Sequence, residues 1–113
     1  MRRTSQLFIS ICALFLSQFA LAACPYPEDV IVPDGATATS EDMVNGQTRI
    51  KQYMAEMEAY LDCLDQEEAD LDREPTQDEV TLHNQRHNSA IDQMEKVASD
   101  FNEQVRAFKK QSR

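Results

Sequence analysis

The chain has 113 residues, 20 of them acidic and 11 basic, for a formal charge of −9 and a mean hydropathy of −0.55. A surface of that sign repels phosphate backbones and anionic lipid headgroups, so nucleic-acid binding and electrostatic membrane docking are disfavoured. A charged partner is instead expected to be cationic: a basic protein, a polyamine or a divalent ion.

Residues 1–22 read as an export signal. Met1-Arg2-Arg3 is a positively charged start, and Leu7 to Leu21 is an uncharged run rich in Leu, Ile, Phe and Ala. That run is shorter than the roughly 20 apolar residues a membrane span needs. Ala20-Leu21-Ala22 supplies the small-x-small pattern for cleavage between Ala22 and Ala23. Leu21-Ala22-Ala23-Cys24 also has the form of a lipobox, in which Cys24 would become the acylated N-terminus and tether the chain to a membrane.

Cleavage before Ala23 leaves about 91 residues, one small domain. Arg2 and Arg3 depart and every acid remains, so the balance becomes 9 basic against 20 acidic, or −11. Cys12 departs as well, and Cys24 and Cys63 remain as an even pair suited to an oxidising compartment. Bridging them would stabilise the domain by roughly 4 kcal/mol through lost loop entropy. A lipidated Cys24 would leave Cys63 unpaired. Cys63 is a poor candidate for a nucleophile, because Asp62 and Asp65 disfavour its thiolate and no Cys-x-x-Cys is present.

Residues 23–39 form a tail, with Pro25, Pro27, Pro33 and Asp34-Gly35 favouring extended and turn conformations. Residues 40–113 form a helical hairpin. Ser40 reads as the N-cap of a first helix over about 41–71, with Glu41 and Asp42 complementing its dipole. Met43, Gln47, Ile50, Met54, Met57, Leu61, Leu64, Glu68 and Leu71 then recur at spacings of four and three, the seam of a helix that packs lengthwise on another.

Asp72-Arg73-Glu74-Pro75 breaks the pattern, and Thr76-Gln77-Asp78-Glu79 is a capping box opening a second helix over about 77–110. Its expected seam is Val80, Asn84, His87, Ile91, Met94, Ala98, Phe101, Val105 and Phe108, and Arg106, Lys109, Lys110 and Arg113 suit the dipole at its end. The short connection makes the helices antiparallel neighbours, pairing position i with roughly 148 minus i. Gly46 is then expected to admit the Phe101 ring. The tail is long enough to run back along Tyr53, Tyr60 and Cys63, laying Tyr26, Val30, Ile31 and Val32 over the tyrosines. The predicted fold is therefore all-α: a coiled-coil-like two-helix hairpin with an extended tail tied to helix 1 by a Cys24–Cys63 disulfide.

Cys24-Pro25, Pro33-Asp34-Gly35, Ser40-Glu41-Asp42-Met43 and Tyr60-Leu61-Asp62-Cys63-Leu64 together resemble a group of small uncharacterised exported proteins of Gram-negative bacteria. The resemblance covers residues 24–64. It implies a periplasmic setting and the Cys24–Cys63 pairing, and it brings no catalytic residues.

His83 and His87 stand four apart on one helix face, a spacing used by transition-metal ligands, with Glu79, Asp65 and Glu68 within reach. Two histidines are half of a tetrahedral set, and His87 lies on the seam, so a structural role outweighs the metal one. The eleven carboxylates from Glu56 to Glu79 lack the glycine turn of an EF-hand and read as a solvated acidic face. Met43, Met54, Met57 and Met94 suggest copper only until their seam positions are noted, since methionine fills gaps between helices. The expectation is a non-enzymatic periplasmic protein without a cofactor, acting through another protein or through self-association. Its alternatives are a metal-binding protein using His83 and His87 and a lipoprotein acylated at Cys24.

Overall fold

The computed structural model describes residues 24–112. Two long helices, α1 (Ser40–Ala69) and α2 (Gln77–Gln111), pack against each other as a hairpin, and residues 24–39 form a non-helical tail. The export signal and the Ala22–Ala23 cleavage point lie outside the described residues.

Both helices begin with a capping box. For α1 the N-cap is Thr39, one residue before the expected Ser40. The Asp42 N–H donates to Thr39 Oγ1 at 3.1 Å, and the Thr39 N–H donates to Asp42 Oδ2 at 2.8 Å. The reciprocal bond needs an acid three residues on, which Thr39 has and Ser40, followed by Met43, lacks. The backbone bond from Thr39, then its side chain, holds the Asp42 carboxyl below its usual range. For α2 the expected Thr76–Glu79 box is formed, with bonds of 3.2 and 2.8 Å. Helix α1 stops at Ala69, short of Leu71, with Asp70 as its C-cap.

Each seam is rotated relative to expectation. In α1 the buried residues are Met43, Ile50, Tyr53, Met57, Tyr60 and Leu64. Met43, Ile50, Met57 and Leu64 were expected, but Tyr53 and Tyr60 replace Met54 and Leu61, which are half-buried, while Gln47 and Glu68 are exposed. In α2 Ala90 and Val97 are buried, Ile91 is half-buried, and Asn84 and Ala98 are exposed. The reason is the tail, whose Cys24, Val30 and Val32 pack onto the same cluster and draw burial toward its own side of the helix pair.

The tail is held at both ends. Cys24 is bridged to Cys63, with 5.7 Å between their Cα atoms, and Tyr26 meets Tyr60 edge-to-face at 5.1 Å. Side chains of an extended segment alternate, so Val30 and Val32 turn inward while Ile31 is 87% exposed and does not cover the tyrosines. Asp34 closes a turn, its carbonyl accepting from the Thr37 and Ala38 N–H groups and Oδ1 from that of Ala36.

Gly35 seats this turn directly on α2, where a Cβ would collide with the backbone of Gln104. The Gly35 N–H donates to Gln104 Oε1 at 2.8 Å, and Gln111 Nε2 donates to the carbonyls of Gly35 and Ala38 at 2.7 and 2.8 Å. Gly46 serves the tail as well, and not Phe101: a Cβ there would lie 2.7 and 2.8 Å from Cγ and Cδ of Pro33. Both glycines are present for close approach, and neither has a positive φ.

Candidate functional site

The Cys24–Cys63 bridge anchors the tail beside Glu67, whose Oε1 lies 3.4 Å from the Cys24 N–H that donates to it. Cys24, Cys63 and Glu67 place one potential ligand atom each within 4.8 Å of one another. A disulfide offers no thiolate, so the oxidised cluster is a staple and not a metal site. One sulfur also cannot carry both a disulfide and a lipid thioether. Disulfides persist in oxidising compartments, and this one fits an exported chain.

His83 lies where the hairpin register puts it, opposite Asp65. Its Nε2 is 3.4 Å from Asp65 Oδ1 and its Nδ1 is 3.2 Å from Glu68 Oε2. The two ring nitrogens thus face different carboxylates instead of one shared point. His87 stands one turn on, its ring centroid 5.9 Å away and tilted by 32°. Zinc–ligand distances near 2 Å demand donors converging on one centre. The structure brings the two histidines and the two acids together, but they are not among the described clusters with three ligand atoms within 4.8 Å.

At the closed end of the hairpin, the chain between the helices arches over a small cleft of about 160 Å³. Leu64, Leu71, Pro75 and Leu82 form its apolar floor and lip. Glu67, Glu68, Glu79, His83 and Arg86 supply its polar edge. The turn above is fixed by Arg73, which donates to both carboxylate oxygens of Glu79 at 2.8 and 2.7 Å and to the Glu74 carbonyl at 3.2 Å. That pair first, with the Thr76 N–H bond next, holds the Glu79 carboxyl down to about 2. Arg86 reaches Glu67 at 3.9 Å.

Reading the helical repeat does not reveal this cleft. Two signals in the sequence point to it: Leu82 is apolar away from the buried line, and Glu67, Glu68 and Asp70 occupy the end of α1, where the dipole favours cations. A second depression, of about 320 Å³, lies along the tail, walled by Pro25, Tyr26 and Pro27 with Glu56, Ala59 and Tyr60. Scans of family models, of curated proteins and of solved structures find no match to this chain.

Proposed function

We propose that this protein is exported to the periplasm and works there as a non-enzymatic interaction module, a stiff acidic hairpin that presents its surface to a cationic protein partner. The observation that carries the reading is the Cys24–Cys63 bridge, which suits an oxidising compartment and fixes the tail across a helix pair of strongly negative charge. The polar groups held in defined geometry support it. Thr39 with Asp42 and Thr76 with Glu79 cap helices, Arg73 locks the turn, and Gln104 and Gln111 clasp the tail. Each has a structural task. Among the described residues no helix is long and apolar enough to cross a membrane.

The test has two parts. Intact mass of protein from the periplasmic and membrane fractions, before and after reduction and alkylation, is expected to show a soluble species starting near Ala23 with two cysteines that alkylate only once reduced. Acyl mass on Cys24 with a free Cys63 would make it a lipoprotein instead. Cross-linking in intact cells is expected to join the protein to a basic partner. Absence of any cross-linked partner under growth conditions where the protein is abundant would sink the interaction reading.

A further inference from the structure

We infer that the cleft at the closed end of the hairpin is the docking site, and that its occupant is a cationic segment of a partner protein carrying one apolar side chain of leucine or phenylalanine size. This rests on the interaction-module reading above and adds a site and a chemistry to it. Size sets the first limit. The cleft, at about 160 Å³, matches cavities that accept a benzene ring and lies below the usual 300–1,000 Å³ of small-molecule pockets. Its apolar part has room for one side chain, and an open depression of about 490 Å³ that shares Glu68, Pro75 and His83 with it is walled by Asp65, Arg73 and Glu74.

Charge sets the second. Eleven carboxylates lie from Glu56 to Glu79, on α1, the connecting turn and the first turn of α2, and the one basic residue among them, Arg73, is bound to Glu79. From α2, Arg86 approaches Glu67, and His83 approaches Asp65 and Glu68. The acids still exceed their partners, so the field at the cleft mouth attracts lysine and arginine.

Two further features of the chain conflict with folding preference here. The last turn of α1 has no basic residue, and Glu67, Glu68 and Asp70 stand near the negative end of the helix dipole, where acids oppose the helix. Leu82 is 47% exposed at the cleft lip, off the line that packs the hairpin. Glu67 meets Arg86 and the Cys24 N–H, Glu68 meets His83 and Asp70 accepts from Gln66, so these acids are partly offset, and the exposed Leu82 is the local choice that marks a functional surface. An apolar residue on the lip and acids at a helix end both become favourable once a basic, apolar-tipped segment is bound.

The probe is a dye-labelled synthetic hexapeptide, Lys-Arg-Leu-Phe-Lys-Arg, titrated into the oxidised mature protein and followed by anisotropy and by amide chemical shifts. Saturable binding that shifts the amides of Leu71, Leu82 and Arg86 is expected. Leu82→Asp is expected to weaken it about tenfold, the lost apolar contact at the lip outweighing the added negative charge. Glu67→Lys with Glu68→Lys, both at exposed positions, provides a second variant with the same expected direction, should Leu82→Asp disturb the fold.

Lack of binding at millimolar peptide, affinity unchanged in both variants, or equal displacement by spermine would each overturn the proposal, the last by showing charge attraction without an apolar seat. Self-association of the wild type that Leu82→Asp abolishes would assign the cleft to a second copy and overturn it too. If a partner cross-links in cells equally well to the Leu82→Asp protein, the cleft fails while the interaction reading stands.

Discussion

Gly46 carries two opposed effects in one residue. As a glycine inside a helix it costs about 1 kcal/mol relative to alanine, yet a methyl group there would meet the Pro33 ring at 2.7 Å. Overpacking of that kind costs about 1–3 kcal/mol, so Gly46→Ala is expected to lower the melting temperature of the oxidised protein. With the bridge reduced and the Gly35 clasp removed by Gln104→Ala with Gln111→Ala, the tail can lift, the collision disappears and the helix preference remains. The same substitution should then raise the melting temperature, and calorimetry with the tail held and with it released checks the reversal of sign.

Tyr53 is fully buried, and its hydroxyl forms no hydrogen bond, although Tyr26 and Gln93 lie near it. Burial first, with Tyr26 and Asp29 adding to it, pushes the phenol above its ordinary value of 10.0. The ring supplies the packing and the hydroxyl goes unsatisfied, so Tyr53→Phe is expected to leave stability unchanged or raise it by about 1 kcal/mol. A fall of that size in chemical denaturation would mean that the hydroxyl has a partner. Nothing in the sequence marks Tyr53 as the centre of the core. Even with the tail laid over it, a tyrosine beside a methionine seam reads as a flank.

At the scale of the elements, the turn between α1 and α2 depends on Glu79. Its carboxyl is held from an ordinary 4.5 down to about 2, by Arg73 first and the Thr76 N–H next. A depressed carboxylate stabilises the fold above its unfolded value and loses that effect as pH falls through the folded one. The Arg73–Glu79 contribution is therefore complete above pH 4.5 and vanishes toward pH 2, with Asp42 acting in the same direction at the other capping box. Glu79→Gln keeps an acceptor for the Thr76 N–H but removes the charge. Acid titration by circular dichroism should show a shallower loss of stability in that variant over this window, and an unchanged curve would mean that the turn lock contributes nothing.

The helices and their turn were legible because the Thr76–Glu79 capping box and a broken repeat are local signals, while the Thr39–Asp42 box was read one residue late, as an N-cap at Ser40. The line of contact was only half legible. Met43, Ile50, Met57 and Leu64 lie on the axis shared by both possible seams, and the 3.6-residue helix allows a flank of either Met54 and Leu61 or Tyr53 and Tyr60. The choice depends on where a third layer sits, and that is a long-range fact. Gly46 was misassigned because the length of the tail places it over the tyrosines without fixing where Pro33 crosses α1, so Phe101 was the large group considered. The closed-end cleft was invisible to periodicity because Leu71, Pro75 and Leu82 are brought together by the turn and not by the repeat.

At the scale of the whole molecule, a core of two helices is thin, and the bridge matters in proportion. A 39-residue separation between the cysteines corresponds to about 4 kcal/mol of loop entropy, an upper figure. Small domains have only about 5–15 kcal/mol in total. Cys24→Ser with Cys63→Ser is expected to lower the melting temperature, by at most roughly 15–30 °C for a domain near this size. It should also expose Tyr60 to fluorescence quenchers as the tail departs. An unchanged melting temperature would show that the clasp at Gly35 alone is enough to hold the tail.

The tail also imposes an order of assembly. Both cysteines lie within the first 63 residues, whereas the clasp of Gly35 by Gln104 and Gln111 links positions 69 and 76 residues apart. A chain delivered N-terminus first presents the complete cysteine pair before any part of α2 is available. Oxidation can then lay the tail along α1 early, making a template on which the tyrosines are already covered. The second helix arrives last and, through Gln104 and Gln111, registers itself against both the first helix and the end of the strap.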